Sequence, residues 1–532
     1  MFSTAESRAA SAAIAVAGLI ILSALLFFPG IGAAPLLDRD EPAYAEAARE
    51  MLARHDWIVT RFNGQPWFDK PPLVYWAVMA SYSLLGVNET AARLPVALFG
   101  IAGVLATYWI GTRLRGRRLG LLAGGILATS IFYFGPARAT LLDVPFTACF
   151  TLAMGALAAA VQQPDRIRWK LLAGAALGLC VLAKSPSAVL LFGAVLVAYG
   201  LLKRAPLRLR AAGWVCAVIP LLAAAGPWYV AMYLRFGSTF LSEFLLAGNL
   251  GRFMAAEHTR SATPIYYLPI VVIGFLPWTA MLPGAIRSAW RRGHEAVIPL
   301  LWAGLSLLFF SASQSKLPGY ILPIFPALAL LIAFDLDDAI QWPPDGRKLR
   351  ALWWASGFTL LIAAVFLAYS LARDMQFISA AVLIGVFGLV PLAALLWTSG
   401  HARPATAALI GLALCGALVF GCWLLPAFGR DYSAKGIGLR IQSDAPRHVY
   451  LVGMRPLYLP SLLFYSRRSV TSVMEPGPIP PLEPGDAFVV IKDRIPAWFR
   501  VRRLQHAASA GEVTLWTVPP AGSMIHERRS TR

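Results

Sequence analysis

Apolar runs of about 20 residues, broken by short polar stretches, fill the chain from Ala12 to about residue 425, and each run is long enough to cross a bilayer as a helix. Read in order, they predict spans at roughly 11–29, 91–112, 119–135, 142–161, 171–184, 187–202, 211–233, 264–285, 295–312, 319–337, 351–371, 377–398 and 404–425, about 13 in all. Basic clusters orient these spans. They are Arg113/Arg115/Arg117/Arg118, Arg166/Arg168/Lys170, Lys203/Arg204/Arg208/Arg210, Arg287/Arg291/Arg292, Arg347/Lys348/Arg350 and Arg403. Lys and Arg near span ends favour the cytoplasmic side, and one arrangement puts every cluster there. It requires one apolar run to stay out of the count. Leu73 to Leu85 is only about 13 residues, short for a span, and reads as an interfacial or re-entrant helix. The resulting topology has its N-terminus inside and its C-terminus outside. It puts 31–90, 136–141, 234–263, 313–318 and everything after Phe428 on the outer face.

The pattern changes after Phe428. HVYLVGM, SVTSVM, DAFVVIKD and EVTLWTV have the length and β-branched content of short strands, and PLYLPSLLFYS and PAWF read as helices between them. The chain is therefore expected to divide into a membrane domain at 1–428, which includes the outer-face loop 31–90, and a small extracytoplasmic α/β domain at 429–532. Pro476 to Pro484 is a stiff connection, and the last residues form a loose tail.

Composition narrows the class. Of 532 residues, 58% are hydrophobic and 14% charged, against about 25% charged in a soluble domain. The mean hydropathy is +0.63. The net charge of +20 fits positive-inside topology and contact with anionic lipid. It does not fit nucleic-acid binding, because the cations sit in short clusters between spans rather than along one face. Cys149, Cys180, Cys216, Cys415 and Cys422 all lie in apolar runs without metal-site spacing, so neither a disulfide framework nor a cysteine metal site is expected. The first apolar run is too long for a typical signal core. No P-loop, dinucleotide fingerprint, HExxH or nucleophile elbow is present, so the driving force for any reaction must come from the substrate's own activated bond.

The candidate chemistry gathers in one polar insertion, Leu37 to Trp76 (LDRDEPAYAEAAREMLARHDWIVTRFNGQPWFDKPPLVYW). It is too aromatic and patterned for disorder. Asp38, Asp40 and Glu41 cluster at its start, where Asp40 and Glu41 enter a helix with Tyr44, Ala48 and Met51 on one side. Carboxylates are favoured at a helix entry, so capping alone would account for Asp40. A catalytic role is the alternative, because further outer-face carboxylates lie opposite. Lys70, between Asp69 and two prolines, either snorkels at the headgroup level or pairs with a lipid phosphate. Asp143 opens a span in ATLLDVPFTACF, an expensive place for a carboxylate unless it functions or caps. Arg252, His258 and Arg260 add cations in the outer loop 234–263. Lys316 and Tyr320 lie in SQSKLPGYILP, and Lys184 in AKSPS, where broken backbone is tolerated if it lines a cavity.

In their order, the blocks DEPAYAEAAREML, DWIVTRFNGQPWFDKPPLVYW, AARLP, LLDVPF, LAKSP, GPWY, RF, LPW and SKLPGYILPIFPALALL resemble the polyprenyl-phosphate-sugar-dependent membrane glycosyltransferases of the GT-C architecture, in particular the branch that transfers aminoarabinose to lipid A. They cover roughly residues 35–335. The resemblance implies a mainly α, polytopic bundle of about 13 spans, an undecaprenyl-phosphate-linked sugar donor, a lipid A-like or other glycolipid acceptor and a bacterial inner-membrane enzyme with a periplasmic site. It places catalytic roles on Asp40, Asp143 and Glu41. It places donor phosphate and lipid contacts on Lys70, Tyr320, Arg252 and Tyr44, with Asp69, His258, Arg260, Lys184 and Lys316 as further cavity residues. No cofactor is required by the pattern, a divalent cation is left open, and a monomer is expected. Two departures stand out: Ala43 occupies a position where the family often has arginine, so that one cationic contact is either missing or supplied elsewhere, with Arg39 the candidate, and Asp69 stands where a glutamate is usual, with Lys184-Ser185-Pro186 in place of the family's KGP. A protein O-mannosyltransferase-like enzyme and a lipid transporter are the alternative readings. The transporter lacks support from internal repeats.

Overall fold

The computed structural model describes residues 2–203, 211–251, 263–293, 295–341, 432–474, 483–491, 504–510 and 513–519, with scattered positions between 407 and 429. It is mainly helical. Helix α1 (Phe2–Phe27) leads into the polar loop, which carries α2 (Asp40–Ala53), a hairpin of β1 (Arg61–Phe62) and β2 (Gln65–Pro66), and α3 (Leu73–Leu85). There follow α4 (Glu89–Leu114), α5 (Arg117–Thr129), the short α6 (Ile131–Phe134), α7 (Asp143–Gln162), α8 (Ile167–Ala183), α9 (Ser187–Leu202) and α10 (Val218–Phe240). The membrane portion continues with α11 (Tyr267–Gly274), α12 (Leu282–Arg292), α13 (Val297–Ala312) and α14 (Phe325–Gln341).

Among the described residues, five helices are long and apolar enough to cross a membrane, or six if the bent pair 117–129 and 131–138 is one span. The protein is thus a multi-pass membrane protein, but a count of 13 is not reached on these residues. The expected spans 351–371 and 377–398 lie outside them, as does most of 404–425. Several other expected spans are shorter than a bilayer needs as single helices, including Ser187–Leu202 and Val297–Ala312. Leu73–Leu85 forms a helix of 13 residues, as read. Gly86 ends it in a left-handed conformation (φ 75°) that frees the chain to turn into α4. The Asn88 side chain then accepts from the Ala91 amide at 2.9 Å, an N-cap for α4.

Small residues let the helices approach closely. A Cβ on Gly111 would stand 2.7 Å from the Gly120 Cα, so α4 and α5 meet backbone to backbone there. At this end of α4 a cluster of ion pairs joins it to α5, α12 and α14. Arg115 reaches Glu295 and Asp338, Arg118 reaches Asp337, and Arg292 reaches Asp335 and Asp338. At its other end, α4 meets the polar loop and the C-terminal unit.

That unit holds a sheet of order β4-β3-β5-β7-β6, made of β3 (Val449–Val452), β4 (Thr471–Val473), β5 (Ala487–Ile491), β6 (Gln505–Ala510) and β7 (Val513–Thr517). β3 runs parallel to both β4 and β5, whereas β7 is antiparallel to β5 and β6. Helices α15 (Lys435–Asp444) and α16 (Pro460–Ser466) pack with it. Four of these strands match the segments read from the sequence. β6 and α15 do not, because QHAASA lacks β-branched residues and KGIGLRIQSD carries two glycines. The expected helix PAWF, the proline-rich connection up to residue 482 and the tail lie outside the described residues.

Candidate active site

Helix α2 was expected as an amphipathic outer-face element, and it is far more enclosed than that. Ala45, Ala47, Ala48 and Met51 are fully buried, and all three of its glutamates, Glu41, Glu46 and Glu50, are buried too. A buried carboxylate is costly unless its oxygens are hydrogen-bonded, and each of these is. Glu46 accepts two bonds from Arg49, both 2.6 Å. Glu50 accepts from the Gly64 amide at 3.0 Å. That amide sits in the Asn63-Gly64 turn of the β1–β2 hairpin, where both residues have positive φ (53° and 78°).

Glu41 is the most heavily engaged. It takes a bidentate pair from Arg93, 2.7 Å from Nε and 2.9 Å from Nη2. It also accepts from the amides of Leu37 at 3.0 Å and Thr140 at 2.9 Å. Arg93 is 1% exposed and donates further to the carbonyls of Ile31, Ala34 and Pro35. The contacts of Glu41 are thus those of an anchor that ties the loop to α4 and to the segment just before Asp143. Arg138, equally buried, secures the end of α1 through the carbonyls of Leu26 and Phe27 at 2.8 and 3.1 Å, and that of Pro29 at 2.5 Å.

Asp40 remains exposed at the start of α2, with no side-chain cap made by its neighbour Arg39. Tyr44, one turn on, stacks on Trp67 (6.0 Å between centroids) and meets Tyr75 edge-on (6.2 Å). Burial pushes the Tyr44 hydroxyl well above its ordinary pKa, and the charges of Asp69, Asp40 and Asp143 push it further. One phenol therefore lies in the field of carboxylates from three separate chain segments.

Lys70 pairs with Asp69 at 3.0 Å, each side chain 12% exposed. The segment before them is held from beneath: Phe68 lies 4.9 Å from Phe236 and 5.8 Å from Phe240 of α10, and Trp228 Nε1 donates to the Ile58 carbonyl at 2.9 Å. Asp143 forms an ion pair with Lys184, whose ammonium also sits 4.5 Å from the centre of the Tyr320 ring. Tyr320 approaches because residue 319 is glycine; a Cβ there would stand 2.6 Å from the Asp143 carboxyl carbon. Lys316 is 2% exposed and donates to the Ser313 carbonyl. Asp40, Asp69 and Asp143 thus all act on Tyr44, Asp143 pairs with Lys184 beside Tyr320, and Glu41 ties the start of α2 to the segment before Asp143. Arg252, His258 and Arg260 lie outside the described residues. Among the described residues, no group of three His, Cys, Asp or Glu side chains forms a metal-binding cluster.

The profile of the dolichyl-phosphate-mannose-protein mannosyltransferase family matches residues 69–230. The undecaprenyl phosphate-alpha-4-amino-4-deoxy-L-arabinose arabinosyl transferase of Aeromonas hydrophila is 33% identical over 341 residues, 63% of this chain and 62% of its own length. Its counterpart in Pectobacterium carotovorum is 32% identical over 66% of this chain and 64% of its own length. The match with these curated relatives thus spans less than two thirds of their length. Structure extends it. The crystal structure of ArnT from Cupriavidus metallidurans bound to undecaprenyl phosphate superposes with a TM-score of 0.79 at 25% identity, covering 95% of this chain and 98% of that one. The fold is that of the aminoarabinose transferases. The resemblance read from the sequence blocks is shown by sequence and structure alike, and the GT-C architecture with it.

The residues that sequence reading missed are Arg93, Arg138 and Thr140. Arg93 lies in AARLP, a block that carried the resemblance, and an arginine four residues into an apolar span demands a buried partner. That was the available signal.

Proposed function

We propose that the protein transfers a sugar from an undecaprenyl-phosphate donor to an extracytoplasmic acceptor, a lipid A-like glycolipid, with inversion at the anomeric carbon. The observation that carries this reading is the set of charges tied together at the loop: Asp143 paired with Lys184 beside Tyr320, Glu41 linking the segment before Asp143 to the start of α2 where Asp40 stands, and Lys70 paired with Asp69. The names of the curated relatives support an aminoarabinose-type donor sugar. The protein acts as a monomer in the bacterial inner membrane, with residues 1–428 and 429–532 as its two domains and the site facing the periplasm.

In this mechanism the anomeric carbon–oxygen bond to the lipid phosphate breaks, and its electron pair stays on the departing phosphate oxygen. The acceptor oxygen forms the new bond from the opposite face of the sugar. Asp40 orients the acceptor and takes its proton if the nucleophile is a hydroxyl; an ionised phosphate acceptor needs only orientation. Lys70, in reach of Asp69, offsets the charge growing on the leaving phosphate, and Tyr320 and Arg252 contribute to the same end. Asp143, fixed by Lys184, faces the sugar. Glu41 positions Asp40 rather than reacting. A transfer assay with Asp40→Asn and Lys70→Ala tests the assignment: both should lose turnover at normal expression, and near-wild-type rates in both would sink it.

A second reading, transfer to protein in the manner of an O-mannosyltransferase, draws support from the family profile over residues 69–230. Incubating the enzyme with labelled polyprenyl-phosphate sugar separates the two, since label enters either lipid or protein.

A further inference from the structure

Three neighbouring residues at the start of the loop are treated differently by their surroundings. Asp38 is gripped by the C-terminal unit. Its amide donates to the Tyr432 carbonyl at 3.1 Å, and its carboxylate accepts from the Ser461 amide at 2.8 Å and from the Ser461 hydroxyl. Ser461 in turn accepts from the Ala434 amide at 2.9 Å. Asp40 is exposed. Between them stands Arg39, also exposed, its guanidinium carbon 5.1 Å from the centre of the Tyr458 ring.

A guanidinium held over a ring by cation–π attraction still has N–H donors to offer a planar or tetrahedral anion. Among the described residues Arg39 forms no ion pair, and its side chain does not cap α2. Tyr458 is itself 54% exposed, on a turn with Arg455 and the exposed Leu457. A cation, an aromatic face and an apolar edge thus meet beside Asp40. They match a phosphate carried on an acylated sugar.

We propose that Arg39, presented by Tyr458 of the C-terminal unit, receives the phosphate of the acceptor glycolipid next to Asp40. The proposal rests on the transferase reading above and makes the C-terminal unit part of acceptor recognition. Charge complementarity favours the acceptor over the donor here, because Lys70 lies with Asp69 in a different part of the loop.

The test uses full-length protein in detergent, labelled undecaprenyl-phosphate aminoarabinose and lipid A as acceptor. Losing one charge-assisted contact at an exposed site should raise the acceptor KM about tenfold in Arg39→Ala, with the donor KM unchanged. Arg39→Lys and Tyr458→Ala should move the acceptor KM in the same direction by less, because lysine lacks the guanidinium's fork of N–H donors and alanine lacks the ring. An unchanged acceptor KM, or a rise in the donor KM instead, overturns the proposal. Vesicles containing lipid A or its dephosphorylated form, bound to the protein without donor, read the same contact apart from turnover. Arg39→Ala should lose the preference for the phosphorylated lipid, and a preference equal to wild type also overturns the proposal. Failure of the transferase reading would appear differently, as no transfer of label to lipid A by the wild-type protein.

Discussion

Replacing Glu41 and Arg93, singly and together, distinguishes a glutamate that holds the site from one that reacts in it. Arg93 sits 1% exposed, with its hydrogen bonds divided between Glu41 and the carbonyls of Ile31, Ala34 and Pro35. Arg93→Met leaves the Glu41 carboxylate buried with only the amides of Leu37 and Thr140, and strips the donor from those carbonyls. Removing one member of a buried ion pair costs about 3–5 kcal/mol, a large share of a net stability on the order of 5–15 kcal/mol. Glu41→Gln strands the arginine charge instead and should cost a similar amount. The double replacement removes both charges, so it should be less destabilising than the sum of the two by about 2–3 kcal/mol. Thermal unfolding in detergent micelles gives the ranking, and transfer per folded molecule is measured alongside. If Glu41→Gln unfolds at the wild-type temperature but has lost all transfer, Glu41 is a reacting group and the anchoring argument fails.

Two further outcomes follow from the same contacts. Burial raises the Asp38 carboxyl from the ordinary 3.8 to about 7, against the Ser461 and Ala434 hydrogen bonds that lower it, and the Glu41 charge adds to the rise. The groups facing it are Glu41 and Arg39 on its own segment and the uncharged Ser461, Ala434 and Tyr432 of the C-terminal unit. A folded pKa above the unfolded one stabilises the docked state fully below the unfolded value, and that contribution is lost as pH rises through about 7. The unfolding temperature of the wild type should therefore fall relative to Asp38→Asn between about pH 4 and 7 and run parallel to it above that; parallel profiles across the whole range would refute this. Asp143→Asn should lower kcat about 10²-fold in the transfer assay, since it removes the partner that fixes Lys184 against Tyr320. Turnover close to wild type would remove Asp143 from the site.

What was legible in the sequence was what a bilayer makes conspicuous. Apolar runs announce helices because lipid admits no unpaired backbone. Asp40, Lys70 and Asp143 stood out because charge is rare in such a chain. Partners were not legible. Arg93 lies 52 positions from Glu41 and Lys184 lies 41 from Asp143, and hydrophobic periodicity carries no information about which charges meet. Ala43 shows the same limit from the other side. From the resemblance, alanine there means a cationic contact that is missing or supplied elsewhere, whereas the fold buries it, 2% exposed, with Ile437, Leu462 and Leu463 of the C-terminal unit. An arginine there would have to place its charge in that apolar cluster. The Asn63-Gly64 turn was readable as a hairpin signal. What could not be read is that its asparagine exchanges two 2.9 Å bonds with the Val470 backbone, locking the loop to the sheet.

These contacts give a reason for an unusually long ordered loop. A segment of about 40 residues would cost much conformational entropy to order at each turnover. Here the ordering is done by folding. Asp38 is held by the C-terminal unit and Glu41 by α4, so the backbone of Asp40 between them is fixed from two sides while the residue stays exposed. Glu41 also binds the Thr140 amide, three residues before Asp143. The separation of the two proposed acidic positions is then set by one buried carboxylate rather than by the loop's own stiffness. Preorganisation of this kind spends binding energy before the substrate arrives, and small displacements of reacting groups are costly to rate. It follows that conservative changes at Glu41 or Ser461, which touch no substrate in this mechanism, act on kcat through Asp40.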